Sequence, residues 1–185
     1  MTSVPRLLDQ LATLTAIKDV ELMELSLLKT IQGFLPARSL SLIHLNRKGD
    51  PSKEMVYGDD KCVVRHENIR LAPDIVLADE YLTSSDAPFY SIGTAQGQLM
   101  VFTLITTRIR RIYLCVVVKE ELSRVDNHML AGILQIYRNF VSMIQHAQTD
   151  QLTGLANRKT FDDCIEKVHE LIPPDFEPIE GERRE

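Results

Sequence analysis

Apolar and polar residues along this chain fall into two rhythms, one of period near 3.6 and one of period 2, and the switches between them divide it into elements. From Pro5 to Phe34 the apolar positions recur at helical spacing: Leu7, Leu8, Leu11 and Leu14, then Leu22, Leu25, Leu28 and Ile31. The pattern predicts two helices or one bent helix. Asp19 is placed to cap the second segment, Glu21 lies in its first turn, and Gly33 and Pro36 end it. Residues 38–47 alternate as a strand does, with Ser39 and Ser41 between Leu40 and Leu42, and Lys48-Gly49-Asp50-Pro51 is the turn that follows. Shorter strands are expected at 54–57 and 61–66, on either side of the hairpin signal Gly58-Asp59-Asp60. Helical spacing returns over 71–82, between Pro73 and the polar run Thr83 to Asp86.

A strand over 87–92 and a polar turn over 93–98 lead to two long strands, 99–106 and 109–118, which carry large apolar residues on both faces. Strands of that kind belong at the centre of a sheet covered on both sides. Only a few residues join them, so they pair antiparallel, because a parallel crossover needs a dozen or more. From Ser123 a long helix begins, with Asp126 in its first turn and Leu130, Leu134, Tyr137, Val141 and Ile144 spaced 4, 3, 4 and 3 apart. This is a heptad seam, suited to a dimer, and equally the stripe of a helix packed on its own domain. Farther on, Phe161, Cys164, Ile165, Val168 and Ile172 line one face of a helix that Asn157 caps and Pro173-Pro174 stops; the charged residues 175–185 show no periodicity.

At 185 residues the chain can hold one good core with helical extensions rather than two full domains. Its 26 acidic against 21 basic residues give a net charge of −5, which offers no general attraction to nucleic acid or to an anionic membrane. Neither a secretory signal nor an apolar run long enough to span a bilayer is evident, so a cytoplasmic location is expected. The three cysteines, Cys62, Cys115 and Cys164, are widely spaced and odd in number, which suits reduced thiols better than disulfides.

The sharpest local pattern follows the long helix. Asp150-x-Leu152-Thr153-Gly154-Leu155-x-Asn157-Arg158 specifies seven of nine positions. Read locally, Gly154 permits a turn and Asn157 starts a helix. The motif also resembles the entry of GGDEF domains, the catalytic domains of diguanylate cyclases. The resemblance covers residues 150 to about 172 and implies a parent protein that condenses two GTP into cyclic di-GMP with Mg²⁺ or Mn²⁺. It further implies that Asp150, Asn157 and Arg158 hold a connecting turn rather than do chemistry. No second-strand acidic ligand and no Gly-Gly-Asp/Glu-Glu-Phe loop follows, so this chain is expected to be inactive alone and to need no cofactor of its own.

The element order upstream resembles a GAF domain, with a PAS-like sensor as the close rival. The implied fold is α+β, an antiparallel sheet flanked by long N- and C-terminal helices on one face, with a small-molecule cavity on the other. Residues 1–148 are then a regulatory sensor with dimerisation helices, and 149–185 a linker turn and the start of a truncated GGDEF domain. The expected assembly is a homodimer, with helix 126–148 carrying the signal. Two other readings stand beside it: a ligand-independent interaction domain, and a cyclic-nucleotide-binding GAF domain.

Candidate pocket residues are Cys62, His66, Tyr90, Met100, Phe102, Tyr113 and Cys115, although residues of these types are more often plain core, or in the case of Cys62 and His66 simply packed or exposed. The histidines His44, His66, His128, His146 and His169 form no HxH or HxxxH pair, so no metal site is expected. Nothing marks a site for haem or a covalent tetrapyrrole. The run Arg108-Ile109-Arg110-Arg111 reads as a charged strand start guarding a sheet edge.

Overall fold

The computed structural model describes residues 20–58, 61–148, 157, 161–162 and 165. Their elements are α1 (Val20–Phe34), β1 (Ala37–Asn46), β2 (Pro51–Gly58), β3 (Lys61–Arg65), α2 (Pro73–Ser84), β4 (Phe89–Thr94), β5 (Gly97–Thr106), β6 (Arg110–Val118) and α3 (Arg124–Gln148). The class is α+β: the strands form one open antiparallel sheet in the order β3-β2-β1-β6-β5-β4. The earlier helix expected over residues 5–18 and the motif positions Asp150, Leu152, Thr153, Gly154, Leu155 and Arg158 lie outside the described residues. The chain falls into two compact units, residues 1–140 and 141–185. No helix among the described residues is long and apolar enough to cross a membrane.

The strand order explains the chain path. β1, β2 and β3 run outward to one edge by hairpins, and β4, β5 and β6 run inward from the other. Reaching the far edge means crossing about 24 Å, five inter-strand steps of about 4.8 Å. The 12 residues of α2 cover about 18 Å of this and the flanking loops the rest. Pro73 opens α2 at a position where its missing N–H has no role, and the Thr83, Ser84 and Ser85 hydroxyls donate back to the carbonyls of Asp79 and Tyr81 at its end.

Helices α1 and α3 lie on one face of the sheet and α2 on the other. In α1 the buried positions are Met23, Glu24, Leu27, Leu28, Thr30 and Ile31, whereas Leu22 is 56% exposed. The series Leu22, Leu25, Leu28, Ile31 advances about 300° per step and drifts around the helix, while 20, 23, 24, 27, 28 and 31 keep to one side. In α3 the seam residues Leu130, Leu134, Tyr137 and Val141 are buried within the chain itself and Ile144 is half-buried. Of the two readings of the seam, the described fold takes the amphipathic one. Ser123 caps α3: its Oγ accepts from the Asp126 N–H at 3.1 Å and donates to Oδ2 of Asp126 at 2.7 Å.

Glu24 is the exception to an apolar stripe. It is 1% exposed, with Oε2 at 3.1 Å from Nζ of Lys53 on β2 and Oε1 at 3.2 Å from Nε2 of His44 on β1, the latter outside hydrogen-bonding geometry. Lys53 also reaches Glu21 at 3.3 Å. The buried hydroxyl of Tyr137 on α3 has no hydrogen-bond partner among the described residues, and burial together with the nearby Glu24 carboxylate raises its pKa. A charged cluster therefore joins α1 to the sheet. Burial alone would raise the Glu24 pKa, but the His44 imidazole and the Lys53 ammonium beside it leave it below its ordinary value.

The β4–β5 hairpin turns on Gly97, whose φ is +133°. A Cβ there would lie 2.1 Å from the Val118 carbonyl oxygen at the end of β6. The bare backbone lets the hairpin close against the central strand.

Two outcomes follow from these contacts. Gly97→Ala should lose about 2 kcal/mol or more in urea melts, through strain and the clash with β6, whereas Gly93→Ala, with open space around it, should stay near wild type; equal stabilities would contradict the close approach. Because its folded pKa is lowered, Glu24 contributes stability that is complete above the unfolded carboxylate value and is lost as pH falls through the folded one. The stability gap between wild type and Glu24→Gln should therefore narrow as pH falls below about 4.5, and a constant gap would show that the carboxylate is not held this way.

Candidate functional site

The sheet's two faces differ in how completely they are filled. On the α2 face, Ile75 and Ala78 pack into Ile43, Leu45, Leu99, Val101, Tyr113 and Cys115, with Tyr90 and Ile92 alongside. Above them Asp79 receives Nε and Nη2 of Arg111 at 2.7 and 2.9 Å and the Tyr113 hydroxyl at 2.7 Å. This two-pronged pair raises the Arg111 pKa, and burial with the Asp79 contact raises that of Tyr113. Arg111 thus serves the interior: β6 lies between β1 and β5, and the basic run guards no edge.

On the helix face, β4 is an edge strand that α3 does not fully cover. A cavity of about 560 Å³ opens there, between the β4–β5 hairpin and α3. Period 2 puts Phe89 and Ser91 of β4 on this face, opposite Phe102 and Met100 of β5; the Phe89 and Phe102 ring centroids are 5.2 Å apart. From α3 come Asn127, Ala131, Leu134 and Arg138, at steps of 4, 3 and 4 on one side of the helix. Pro88, Gln98, Glu121 and Leu122 complete the lining. The volume and the mixture of apolar walls with a few polar groups are those of small-ligand sites, which run about 300–1,000 Å³.

Arg138 is the charged group of α3 in this lining. Its Nη2 donates to the Thr103 carbonyl where the β5–β6 register shifts between Thr103 and Ile105. Bulges of this kind bend a strand and re-aim its groups next to sites. Partial burial lowers the Arg138 pKa, and no described carboxylate lies within ion-pairing distance of it.

Of the residues expected at a pocket, Met100 and Phe102 line this cavity. Tyr90, Tyr113 and Cys115 sit on the α2 face, Cys62 pairs with Tyr57 toward the other edge of the sheet, and His66 is exposed after β3. The cavity lies on the side of the terminal helices rather than opposite them as the GAF resemblance implied, because α2 and the Asp79–Arg111–Tyr113 network fill the opposite face. Residues missed from sequence were Phe89, Leu134 as a lining residue, and Arg138; the spacing of Arg138 four after Leu134 on the edge of the apolar stripe was the available signal. Among the described residues no group of three or more His, Cys, Asp or Glu is gathered as a metal would need.

In the second unit, the Asn157 carbonyl accepts from the Phe161 N–H at 2.9 Å, as an N-cap residue does, and its side-chain amide donates to the Ala147 carbonyl in the last turn of α3. Asn157 therefore ties the start of the next helical turn to the end of α3.

No family model and no curated protein matches the chain. Among solved structures it is similar to the crystal structure of VqsR LBD domain from Pseudomonas aeruginosa, at 10% identity and a TM-score of 0.43 over 72% of this chain and 94% of that one. No functional inference rests on so distant a likeness.

The filled α2 face has a chemical readout. Burial pushes the Cys115 thiol up to about 12, so in a Cys164→Ser variant near neutral pH a disulfide reagent should reach Cys62 while Cys115 reacts only at the rate of unfolding. Rapid labelling of Cys115 in the folded chain would reveal an opening on that face.

Proposed function

We propose that this chain is a regulatory sensor module whose fold transmits ligand occupancy to a diguanylate cyclase domain through α3. The observation that carries the reading is the seven-residue pattern from Asp150 to Arg158 placed directly after a helix that forms one wall of a ligand-sized cavity. A ligand in that cavity would touch α3 and the β4–β5 hairpin at once, and so favour one placement of the helix over another in proportion to its differential affinity. Residues 1–148 would be the sensor and 149–185 the joint and first part of a GGDEF-type domain, with Asn157 holding the joint to the last turn of α3. The GAF-type assignment is part of this proposal, modified by a cavity on the helix side.

Two cyclase domains must face each other to make a two-fold symmetric product, so the module would act as a homodimer. The α3 seam is spent on the chain's own core, which leaves the outer side of α3, including Val125 and Met143 at 67% and 64% exposure, for contact between copies. GTP and the divalent metal belong to the cyclase part and not to residues 1–148.

The decisive comparison is between this chain and a longer natural chain continuing past Glu185, each incubated with GTP and Mg²⁺. The longer chain should form cyclic di-GMP and the 185-residue chain none; product from the short chain, or none from the long one under any condition, would remove the assignment.

A further inference from the structure

Of the charged groups that line the cavity, Arg138 is the half-buried one. The buried carboxylate Glu24 is met by Lys53 and faces His44, Asp79 is met by Arg111, and Arg65 pairs with Glu54. Arg138 is half-buried, lines the cavity, and spends one N–H on the Thr103 carbonyl. Its remaining N–H groups have no described protein partner and no described carboxylate neutralises it. Glu121, the carboxylate in the lining, is exposed and forms no ion pair with it. A guanidinium taken partly out of water without a counter-ion is costly, and it recovers that cost when a carboxylate docks on its free edge. The rest of the lining is apolar where it is deepest: Met100, Phe102 and Leu134 are each no more than 8% exposed.

We propose that the cavity between α3 and the β4–β5 edge binds a small organic carboxylate. Its apolar body lies on Phe89, Met100, Phe102 and Leu134, and its anionic end meets the Arg138 guanidinium. The proposal rests on the sensor reading and sharpens it by naming the ligand class. Because Arg138 bridges the Thr103 bulge and α3, the anion would sit where the β5–β6 pair and the helix are joined.

The test uses three chain-matched probes, decanoate, 1-decanol and decylamine, titrated into the 185-residue chain with calorimetry and thermal melts as readouts. Decanoate should bind about tenfold tighter than 1-decanol, near 1.4 kcal/mol, and decylamine weakest. Arg138→Gln should abolish the preference for decanoate over the alcohol, and Arg138→Lys, which keeps the charge, should retain part of it. Ala131→Phe, which fills the cavity, should weaken all three probes while the chain still melts cooperatively. Equal binding of acid and alcohol, or a preference unchanged in Arg138→Gln, overturns the carboxylate class and leaves the cavity as a ligand site. Binding of no probe, or binding unaffected by Ala131→Phe, overturns the cavity itself. A folding failure of Arg138→Gln shifts the decision to the Arg138→Lys and probe-series results.

Discussion

The pairing of β1 with β6 is the contact on which the rest of the fold depends. It joins the strand that begins the first meander to the strand that ends the second, with Leu42 opposite Leu114 and Leu40 opposite Val116. Both strands are buried on both faces, so this pair supplies apolar surface to the helices on one side and to α2 on the other. Without it there are two separate three-stranded ribbons. The cavity is a by-product of the same arrangement. Placing β6 and β1 at the centre puts β4 at an edge, and an edge strand is where a single helix leaves room.

Polar groups in this fold are concentrated where elements from different parts of the chain must be held in one orientation. Glu24 ties α1 to β1 and β2, and Asp79 ties α2 to β6. Apolar contact is nearly indifferent to a small sliding of one surface over another, whereas a carboxylate facing fixed donors is not. Arg138 follows the same rule on α3 through the Thr103 carbonyl, but spends only one of its five N–H groups there. That difference separates a structural cross-link from a group able to receive a ligand.

Much of this was legible from residue order. β1, β5 and β6, their antiparallel arrangement and the length of α3 followed from alternation, connection length and a 4-3-4-3 stripe, because each of those signals reports burial directly. Strand β2 begins at Pro51, earlier than its apolar residues suggest, since a proline is tolerated as a first strand residue. The buried face of α1 was displaced by a leucine series at constant spacing of three, and Glu24 was hidden because a carboxylate gives no hydrophobic signal although it occupies an inward position. Which face of the sheet is filled could not be read at all. It depends on α2 crossing the sheet, and on Arg111 and Asp79 meeting across distant parts of the chain.

The order of strands also constrains how the chain is made. During synthesis the α1–β1–β2–β3 segment emerges first, and the inner edge of β1 has no partner until β6, the last strand, has left the ribosome. The hairpin partners can form early, but β1 and β6 pair over a long sequence separation, and such contacts are slow to close. Through that interval the most apolar strand of the first half presents an open hydrogen-bonding edge, and open edges recruit other chains. The central placement that makes the finished sheet secure makes the unfinished one sticky, so yield from the ribosome depends on β6 arriving before a neighbour does.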